Sequence, residues 1–575
     1  VRETQRGRRL TLEPYHDRVR ESVANGIAKD RRRELHTRIA YALEAAPEPR
    51  DPQLLLRNFM LAELPQRAAR YAEDAAQRSE AAHAFDQAAE LWRTALDLIP
   101  RDADDRRRVL LRLGKALIHA GRGADAAKHY LEAAEGADRA TRLECQRHAA
   151  EQLVISGHIV PGLKALDALL AEIGVASPKT PRGSVASLLW NRGRVRLRGL
   201  AFTERDRSEI APAEMLVLDV LKAAGTSLAM IDSIRGMDFT TRHLRMSLLT
   251  GDREHIARAL LLESMFYATG SNPKRAQKLI ERALEIGADP KDPYIGGMMA
   301  GARGASAYFG GDPAPATAHF SECIAKLAGA PGNNWERSTA RLFQLFSLRF
   351  VGDFVELRAR YEEHIDDAAA RGDVYLESTM RRACVSMFLA EDDVPGALHE
   401  IELATWDPPG ERYHVQHFHE LVAWGELALY TGTIDPRAQL DDRFARLHAS
   451  LLKRVASIRI VDEFLRGRLA LVGYRPLAEA ARAAKKLAAE KTPMPTVFAM
   501  LLEAGLAPTP EGFTAAAEAA SRAGLRALAA AAQWRAAELR GDAAARADAE
   551  ATLVALGIRD VERTCALLAV THTRR

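Results

Sequence analysis

Apolar residues recur at three- and four-residue spacing from Leu35 almost to the end of the chain. That spacing places them along one face of an α-helix, because an α-helix has about 3.6 residues per turn. Short breaks that contain Gly, Pro or Asp interrupt the pattern, and Gly tolerates the left-handed backbone that ends a helix. The clearest breaks lie at residues 121–123, 156–158, 251–252, 310–312 and 352–353. With no convincing series of alternating strands, the sequence predicts an all-α protein built from helical hairpins.

The hairpins repeat at intervals that fit the tetratricopeptide (TPR) pattern of about 34 residues. In this pattern two helices touch at a small residue, a Gly lies in the turn between them, and apolar residues of the second helix fill the space between hairpins. Two sets of residues match this spacing best: Leu113, Gly114, Leu117, Gly121, Ala126, Tyr130 and Ala133, and Gly304, Ala307, Gly311, Ala316, Phe320 and Cys323. The sequence therefore predicts a right-handed α-solenoid of TPR-like helical hairpins.

Three irregular segments divide the predicted solenoid. Residues 177–207 carry two prolines and a run of arginines, residues 406–410 read WDPPG, and residues 491–495 read KTPMP. The predicted regions are a first TPR-like array at 51–176, an irregular helical joint at 177–255, a central TPR-like array at 256–490, and C-terminal capping helices at 491–575. None of the breaks is long or low in complexity, so we expect joints within a bent solenoid.

Composition excludes several classes of protein. The chain of 575 residues has 81 Lys and Arg against 77 Asp and Glu, a balance that argues against a dedicated nucleic-acid coat protein. Its four cysteines lie far apart without a CxxC motif, which excludes a disulfide framework or a zinc ribbon and fits a reducing cytosol. No stretch of 18 uncharged apolar residues predicts a membrane helix. We therefore expect a cytoplasmic protein without a membrane segment.

No catalytic signature is present in the sequence. The chain lacks the GxxxxGK[ST] phosphate loop, the HRD-type catalytic loop and the DFG triplet. The segment from Gly121 to Ala126 has the form GxGxxA, but a dinucleotide site needs a buried strand before it, and a predicted helix precedes it here. No Ser/His/Asp or Cys/His set stands out. The sequence thus predicts no catalytic residue, no cofactor and no resident metal in this chain.

Two groups of polar residues have a structural and a functional interpretation. His414 and His417 are one helical turn apart, with Glu411 or Glu420 near, and such residues either hold a metal or make contacts within a hairpin. A zincin motif fails because Ala423 stands where the second His would be. The arginines of the most basic run form a positive stripe that binds phosphates, is a solvated face, or meets acidic helices elsewhere in the protein. These are Arg192, Arg194, Arg196 and Arg198.

Aromatic residues gather on the predicted inner face of the central array. In a TPR hairpin, the residues one, four and five positions after the small contact residue point to the concave side. Counting from Gly304, Leu345 and Gly425 selects a candidate partner-binding set: Tyr308, Phe309, Phe346, Arg349, Phe350 and Tyr430. One interpretation is a groove that buries the apolar anchors of a partner helix or peptide. The other is that the superhelix closes and the rings pack against one another.

Several segments resemble one family of large bacterial signalling proteins. They are YHDRVRESV at 15–23, LHTRIAYALE at 35–44, IDSIRGMDFTTRHLRMSLLTGD at 231–252, and LGIRDVER at 556–563. They are similar to the C-terminal region of multidomain Ser/Thr protein kinases in which a STAND/AAA-type ATPase module leads into a TPR superhelix. The resemblance implies that residues 1–50 end a helical, winged-helix-like junction after an ATPase module. It also implies that the chain is the C-terminal half of a larger protein.

The sequence and the resemblance together lead to one expected function. We expect a non-catalytic TPR superhelix that binds a protein or peptide, including its own upstream kinase or ATPase modules, as the sensor or scaffold region of a bacterial signalling Ser/Thr kinase. The alternative is the TPR region of an ATPase-type transcription regulator that lacks its DNA-binding domain. Nucleic acid and membrane partners are not expected.

Overall fold

The computed structural model describes residues 2–6, 9–13, 22, 25–47, 50–100, 105–229, 231–270, 272–330, 332–405 and 413–572. At the N-terminal end, β1 (Arg2–Arg6) and β2 (Arg9–Glu13) form an antiparallel hairpin in which Arg2 lies opposite Glu13. The other described elements are α-helices and short 3-10 turns. The hairpin departs from the expected all-α fold, because strands of five residues are too short to produce a clear alternating pattern.

The chain divides into two units, residues 1–121 with 125–142, and residues 122–124 with 143–575. The helices of the first unit include α1 (Lys29–Ala45), α2 (Pro52–Leu61), α3 (Pro65–Ala81), α4 (Phe85–Leu98) and α5 (Arg106–His119). Most of α6 (Gly123–Ala134) and the first turn of α7 (Arg139–Ile155) also belong to it. From α1 to α5, each helix packs against the next one in the chain. This sequential packing is the arrangement expected of an α-solenoid.

Small residues bring the helices of the first unit close together. Ala72 and Ala76 of α3 and Ala88 of α4 have no exposed surface. Trp92 is also fully buried, and its indole Nε1 donates a hydrogen bond to Glu80 Oε1 over 2.8 Å. The predicted small contact residue Gly114 faces an aromatic ring of α6. A Cβ atom at position 114 would lie 2.8 Å from Tyr130 Cε2, so only Gly fits there without a shift of the ring.

The second unit continues with helices as far as residue 568. They are α8 (Ile159–Glu172), α9 (Pro181–Arg198), α10 (Pro212–Leu228), α11 (Ser233–Thr250), α12 (Arg253–Thr269), α13 (Pro273–Glu285), α14 (Pro293–Phe309), α15 (Pro313–Ala328), α16 (Asn334–Val351), α17 (Phe354–Arg371), α18 (Val374–Ala383), α19 (Val385–Ala390), α20 (Val394–Leu403) and α21 (Val415–Thr431). After them come α22 (Leu440–Ala449), α23 (Ala456–Leu471), α24 (Ala478–Ala489), α25 (Pro493–Leu506), α26 (Pro510–Arg522), α27 (Arg526–Arg540), α28 (Ala543–Ala555) and α29 (Val561–Leu568).

Neighbouring helices of the second unit also pack in sequence, most extensively α14 on α15, followed equally by α15 on α16 and α26 on α27. Gly304 of α14 repeats the close contact of the first unit, because a Cβ there would lie 2.9 Å from Phe320 Cε1 of α15. The aromatic ring follows the glycine by sixteen residues in both units. Contacts between distant segments are present as well, for example between α21 and α29. The second unit is thus helical and sequentially packed, with additional contacts between helices that are far apart in the sequence.

The predicted hairpin turns lie where the sequence places them. Five glycines in these turns have φ angles between 79° and 91°: Gly121, Gly157, Gly251, Gly311 and Gly352. Helix α9 occupies the predicted joint at 177–207, and α25 begins at Pro493 within the predicted break at 491–495. The predicted break at 406–410 and most of the segment 15–23 lie outside the described residues. No helix in the described part of the chain is long and apolar enough to cross a membrane.

Candidate functional site

Five of the six residues predicted to bind a partner come together in the second unit. Tyr308 and Phe309 end α14, and Phe346, Arg349 and Phe350 lie on the last turns of α16. The ring centroid of Tyr308 is 5.1 Å from that of Phe309, 6.5 Å from that of Phe346 and 6.3 Å from that of Phe350. Only 8% of Phe309 and 6% of Phe346 is exposed. The rings therefore pack against one another and are not presented to solvent.

Phe343 lies at the centre of this aromatic cluster, although the sequence analysis did not select it. Its ring centroid is 5.2 Å from that of Tyr308, 5.5 Å from that of Phe320 and 5.6 Å from that of Phe346. Phe343, Phe346 and Phe350 follow one another at three- and four-residue spacing on one face of α16. That spacing is the sequence signal from which Phe343 could have been predicted. Counting from a single small residue did not select it.

Tyr430 does not join the aromatic cluster. Its hydroxyl donates a hydrogen bond to Asp392 Oδ1 over 2.8 Å, and the guanidinium of Arg563 lies 5.0 Å from its ring centroid. The counting rule fails here because Gly425 does not occupy the position that Gly304 has. A Cβ at position 425 would lie 2.8 Å from Leu465 Cδ1 of α23, a helix that does not follow α21 directly.

Arg349 is already paired inside the protein. Its Nη2 donates to Glu426 Oε1 over 2.7 Å, and Arg468 Nη2 lies 3.5 Å from the same oxygen. Burial lowers the pKa of Arg468, with Glu426 opposing this shift. The three side chains are almost completely shielded from solvent. Glu426 therefore places one negative charge between two buried cations, and this carboxylate holds the guanidinium of Arg349 inside the protein.

The aromatic cluster borders a cavity of about 190 Å³. Most of its lining is apolar, and the polar exceptions include His419 and Tyr308. Burial, together with Arg349 and Arg382, lowers the pKa of His419 to about 3, so the imidazole is neutral near pH 7. Its Nδ1 atom is buried without a hydrogen-bond partner among the described residues. Burial also raises the pKa of Tyr308, whose hydroxyl therefore stays protonated.

A wider cleft of about 2260 Å³ lies beside the cavity. Its walls come from α8, the loop 174–180, α9, the start of α11, the end of α12, and the segments around α22. The cleft and the cavity share six lining residues: Ser233, Met237, Phe266, Thr269, Leu452 and Val455. Val160 and Leu189 give the cleft an exposed aliphatic surface, with 57% and 65% of their areas accessible. The two spaces are thus adjacent, and they differ strongly in size.

Positive charge dominates the lining of the cleft. The charged residues are Lys179, Arg182, Arg192, Arg235, Arg446 and Arg454 against Asp167 and Asp232. Arg235 pairs with Asp167 over 2.8 Å, and Arg192 pairs with Glu263 over 3.2 Å. The other four cations are exposed, and none of the ion pairs among the described residues includes them. The cleft therefore combines aliphatic side chains with four cations that have no acidic partner in the described part of the chain.

The predicted arginine stripe is split by its contacts. Arg192 faces the protein, where its guanidinium also lies 4.4 Å from the ring centroid of Tyr267. Arg198 donates to backbone oxygens, among them that of Leu248 over 2.9 Å. Arg194 and Arg196 are exposed on α9. In this run, Arg192 is therefore paired with an acid, Arg198 binds backbone oxygens, and Arg194 and Arg196 are solvated.

The histidine segment forms the start of a helix. His417 Nδ1 accepts a hydrogen bond of 3.0 Å from the backbone N–H of His414, which caps α21. Glu420 pairs with Arg443 over 2.8 Å, and Glu411 lies outside the described residues. Across the described ranges, no group of three or more His, Cys, Asp and Glu side chains is placed to hold a metal ion. Helix capping accounts for the close approach of these two histidines.

The fold and the site together define the class of this protein. It is a protein of sequentially packed helices, and its second unit contains a basic cleft. Comparison with known proteins does not narrow this class: no family profile matches the chain, and no curated protein has a significantly similar sequence.

Proposed function

We propose that this protein is a non-catalytic binding module that holds an acidic segment of a partner protein in the cleft of its second unit. The observation that carries the proposal is the set of unpaired cations around an aliphatic surface. Lys179 and Arg182 contribute from one wall, and Arg446 and Arg454 contribute from another. Complementary charge selects an acidic partner and speeds association, while apolar anchors add affinity.

The cleft favours a peptide over a nucleic acid because of the side chains between the cations. Val160, Leu163 and Leu189 are aliphatic, and they fit the apolar side chains of a peptide. Single-stranded nucleic acids bind instead through aromatic side chains on which successive bases stack. Among the lining residues of this cleft, only Phe266 and Tyr413 have aromatic rings other than imidazole.

The proposal extends to the type of repeat and to its setting. The common spacing of Gly114 to Tyr130 and of Gly304 to Phe320 supports TPR-like hairpins, in which a small residue admits a large one from the paired helix. A role as the sensor or scaffold of a cytoplasmic bacterial signalling kinase with an ATPase module rests on the sequence resemblance alone. In such a kinase, binding of a partner segment would shift the equilibrium between two curvatures of the solenoid. The size of the shift is set by the difference between the segment's affinities for the two curvatures.

Fluorescence anisotropy with a labelled peptide tests the binding site. The probe is a short peptide rich in Glu and Asp with Leu and Val anchors, and its counterpart carries Lys in place of the acids. We expect saturable binding of the acidic peptide alone, with an affinity that falls as salt is added. Arg446→Glu combined with Arg454→Glu reverses two charges of the cleft. It should weaken binding by at least about tenfold.

A matched control separates the cleft from general electrostatics. Arg482→Glu with Lys485→Glu reverses two exposed charges on α24, outside the cleft, and should leave peptide affinity unchanged. Equal weakening by both double variants would contradict a specific site. Tight binding of a single-stranded oligonucleotide that only the cleft variant abolishes would replace the peptide by a nucleic acid. Thermal unfolding of each variant confirms that the fold is retained.

A further inference from the structure

Helix α9 carries the three most exposed large apolar side chains in the described part of the chain. Leu189, Trp190 and Leu197 are 65%, 68% and 91% exposed, and none of the other large apolar side chains that the structure describes exceeds 57%. Single exposed apolar residues are normal on a soluble protein, whereas several on one surface mark an interaction site. The helix packs mainly against α11, which leaves its outer side accessible.

The accessible apolar residues form a stripe along α9. Ala186, Trp190, Gly193 and Leu197 follow one another at four-, three- and four-residue spacing, which places them on one face over about 16 Å. The a and d positions of a coiled coil have the same spacing, and there each side chain packs into a hole formed by the facing helix. The stripe therefore has the spacing and the length of a surface for one further helix.

Gly193 has no packing role within the described residues. Apart from Pro, Gly is the least favourable residue in the interior of a helix. At Gly304 a Cβ would lie 2.9 Å from an aromatic ring, so the protein itself explains that glycine. A Cβ at position 193 would meet no atom within 4 Å. Because Gly allows the close approach of another backbone, this position is open to a helix from another molecule.

Positive charge borders the stripe on both sides. Arg194 and Arg196 are exposed and lie on opposite sides of it, since successive residues of a helix are turned by about 100°. On α11, burial and the charges of Arg194 and Arg198 lower the pKa of Arg245. Helix α9 contains no acidic residue, and no ion pair within the described ranges includes Arg194 or Arg196. The charge around the stripe therefore selects an acidic partner.

We propose that the outer face of α9 binds an amphipathic helix of another protein, whose apolar residues face the stripe and whose flanks carry acidic residues. Trp190 and Leu197 are the apolar anchors of this interface. Arg194 and Arg196 pair with the acidic flanks, as the e and g charges of a coiled coil do. A second copy of the chain does not fit, because two α9 helices would bring only arginines together.

The stripe is separate from the cleft of the proposed function. Trp190, Gly193 and Leu197 do not line that cleft, although Ala186 and Leu189 lie at its edge. The inference therefore concerns a second surface and does not depend on the proposed function.

A lipid surface fits the same stripe less well because of Gly193. The binding of a helix to a membrane interface increases with the apolar area that it buries. A membrane would therefore gain from a larger side chain at position 193, whereas a closely packed partner helix would be displaced by it. One substitution at this position thus has opposite effects on the two occupants.

Fluorescence anisotropy with a designed helical peptide tests the inference on the full chain. The peptide is about three heptads long, with Leu at its a and d positions and Glu at its e and g positions, and its counterpart carries Lys in place of Glu. We expect saturable binding of the Glu peptide alone. Trp190→Ser combined with Leu197→Ser should weaken this binding by at least about tenfold. The control, Val355→Ser with Val554→Ser, removes exposed apolar groups from other helices and should leave it unchanged.

Reversing the flanking charges gives a second measurement. Arg194→Glu combined with Arg196→Glu should abolish binding of the Glu peptide and permit binding of the Lys peptide. Arg482→Glu with Lys485→Glu on α24 should change neither affinity. Lack of saturable binding of the Glu peptide to the parent chain, or equal weakening by the two charge variants, would overturn the inference.

Gly193→Leu separates a partner helix from a membrane. Its thermal midpoint should equal or exceed that of the parent, because the position is open and Leu favours a helix. The added side chain should weaken the Glu peptide by at least about tenfold. Sedimentation with vesicles of phosphatidylcholine and phosphatidylglycerol is the comparison. If the parent binds these vesicles, Gly193→Leu binds them more tightly, and the peptide affinity is unaffected, the occupant is a membrane and the inference is wrong.

The cleft variant distinguishes this inference from the proposed function. Arg446→Glu with Arg454→Glu should leave the affinity for the helical Glu peptide unchanged, because both arginines lie in the cleft. If this variant abolishes binding and the α9 variants do not, the peptide occupies the cleft, and the inference falls while the proposed function stands. If only the α9 variants abolish binding, the inference stands whether or not the short acidic peptide binds in the cleft.

Discussion

In the first unit, the helices bury alanine, leucine and aromatic side chains almost exclusively. Asn58 and Ser79 are the only polar residues of its described part that are buried. In the second unit, charged residues enter the interior on many helices: Arg147, Arg235, Asp238, Asp252, Glu263, Arg341, Arg382, Glu400, Glu426, Asp462, Glu463 and Arg468 are all buried. The same helical packing thus encloses two different interiors.

Several buried charges of the second unit have partners on other helices, while others, such as Arg147, pair within their own helix. Asp238 accepts hydrogen bonds from Ser187 and Asn191 of α9 and pairs with Arg242 of its own helix over 2.8 Å. Glu426 links α21 to both α16 and α23 through its two arginines. Apolar contacts depend on volume, whereas a buried charge pair is stable only with the correct partner. The stability of the first unit therefore depends on how well apolar side chains fill its interior. The stability of the second unit depends in addition on specific pairing of buried charges.

The largest expected change in the free energy of unfolding comes from the aromatic cluster. There the second unit, like the first, is held together by apolar packing. Phe346→Ser with Phe350→Ser removes two rings from the cluster and should lower the free energy of unfolding of the second unit by at least about 5 kcal/mol. Urea unfolding followed by circular dichroism measures the change. Val355→Ser with Val554→Ser is the control, because both valines are more than half exposed. A loss of about 1 kcal/mol or less in the Phe variant would contradict core packing.

Arg349, Glu426 and Arg468 form a buried charge triad. Breaking this triad tests the buried charge pairing that distinguishes the second unit from the first. Glu426→Leu leaves Arg349 and Arg468 buried without a counter-charge and should cost about 3–5 kcal/mol in urea unfolding. Adding Arg349→Met and Arg468→Leu should recover most of that loss, since none of the three positions then carries a buried charge. In the first unit, Glu63 pairs with Lys29 and Arg33 at the surface, and Glu63→Leu should have little effect. Equal effects of the two Glu variants would remove the distinction between the units.

Overpacking the paired helices should affect both units alike. Gly114→Leu and Gly304→Leu insert a side chain where a Cβ already approaches an aromatic ring to within 3 Å. Each should cost about 1–3 kcal/mol, because neither helix pair has space for the added atoms. Differential scanning calorimetry measures the change in thermal midpoint. An unchanged midpoint in either variant would show that the small-residue contact does not determine the packing of that hairpin.

Local patterns were sufficient to predict the hairpins. The turn glycines and the contacts of Gly114 and Gly304 follow from three- and four-residue spacing, which the sequence displays directly. The N-terminal strands were not predicted, because each is only five residues long. Counting along the repeat also selected Tyr308, Phe309, Phe346, Arg349 and Phe350, which the structure places close together.

Contacts between distant helices were beyond the reach of a local pattern. Arg349 and Glu426 are 77 residues apart, and their pairing depends on how the helices between them pack. The same holds for Tyr430, whose partner Arg563 belongs to the last helix. The cleft was also missed, because its cations come from separate segments around Lys179 and Arg446 and form no run in the sequence. Each of these features depends on tertiary packing and not on helical periodicity.

The smallest expected effect isolates one titratable group in the interior of the second unit. His364 of α17 has its Nε2 atom 3.0 Å from Gln344 Oε1. Burial, assisted by Arg341, lowers its pKa to about 4, whereas an unfolded histidine has a pKa of about 6.5. Between these values the unfolded chain binds a proton that the folded chain does not. The free energy of unfolding therefore falls as the pH falls through this range, by about 1 kcal/mol from this group at pH 5.5.

His364→Gln removes the titrating group and retains a donor for the Gln344 carbonyl oxygen. Urea unfolding at about pH 7.5 and pH 5.5 should therefore show a smaller loss of stability in the variant than in the parent chain, by about 1 kcal/mol. The difference in stability between variant and parent at pH 7.5 measures the effect of the substitution alone. At that pH the imidazole is neutral in both the folded and the unfolded state. If the variant loses as much stability as the parent, the buried imidazole is not the source of the acid sensitivity. The acid sensitivity would then come from other buried imidazoles of the second unit, His243, His255 and His419, whose pKa values burial also lowers.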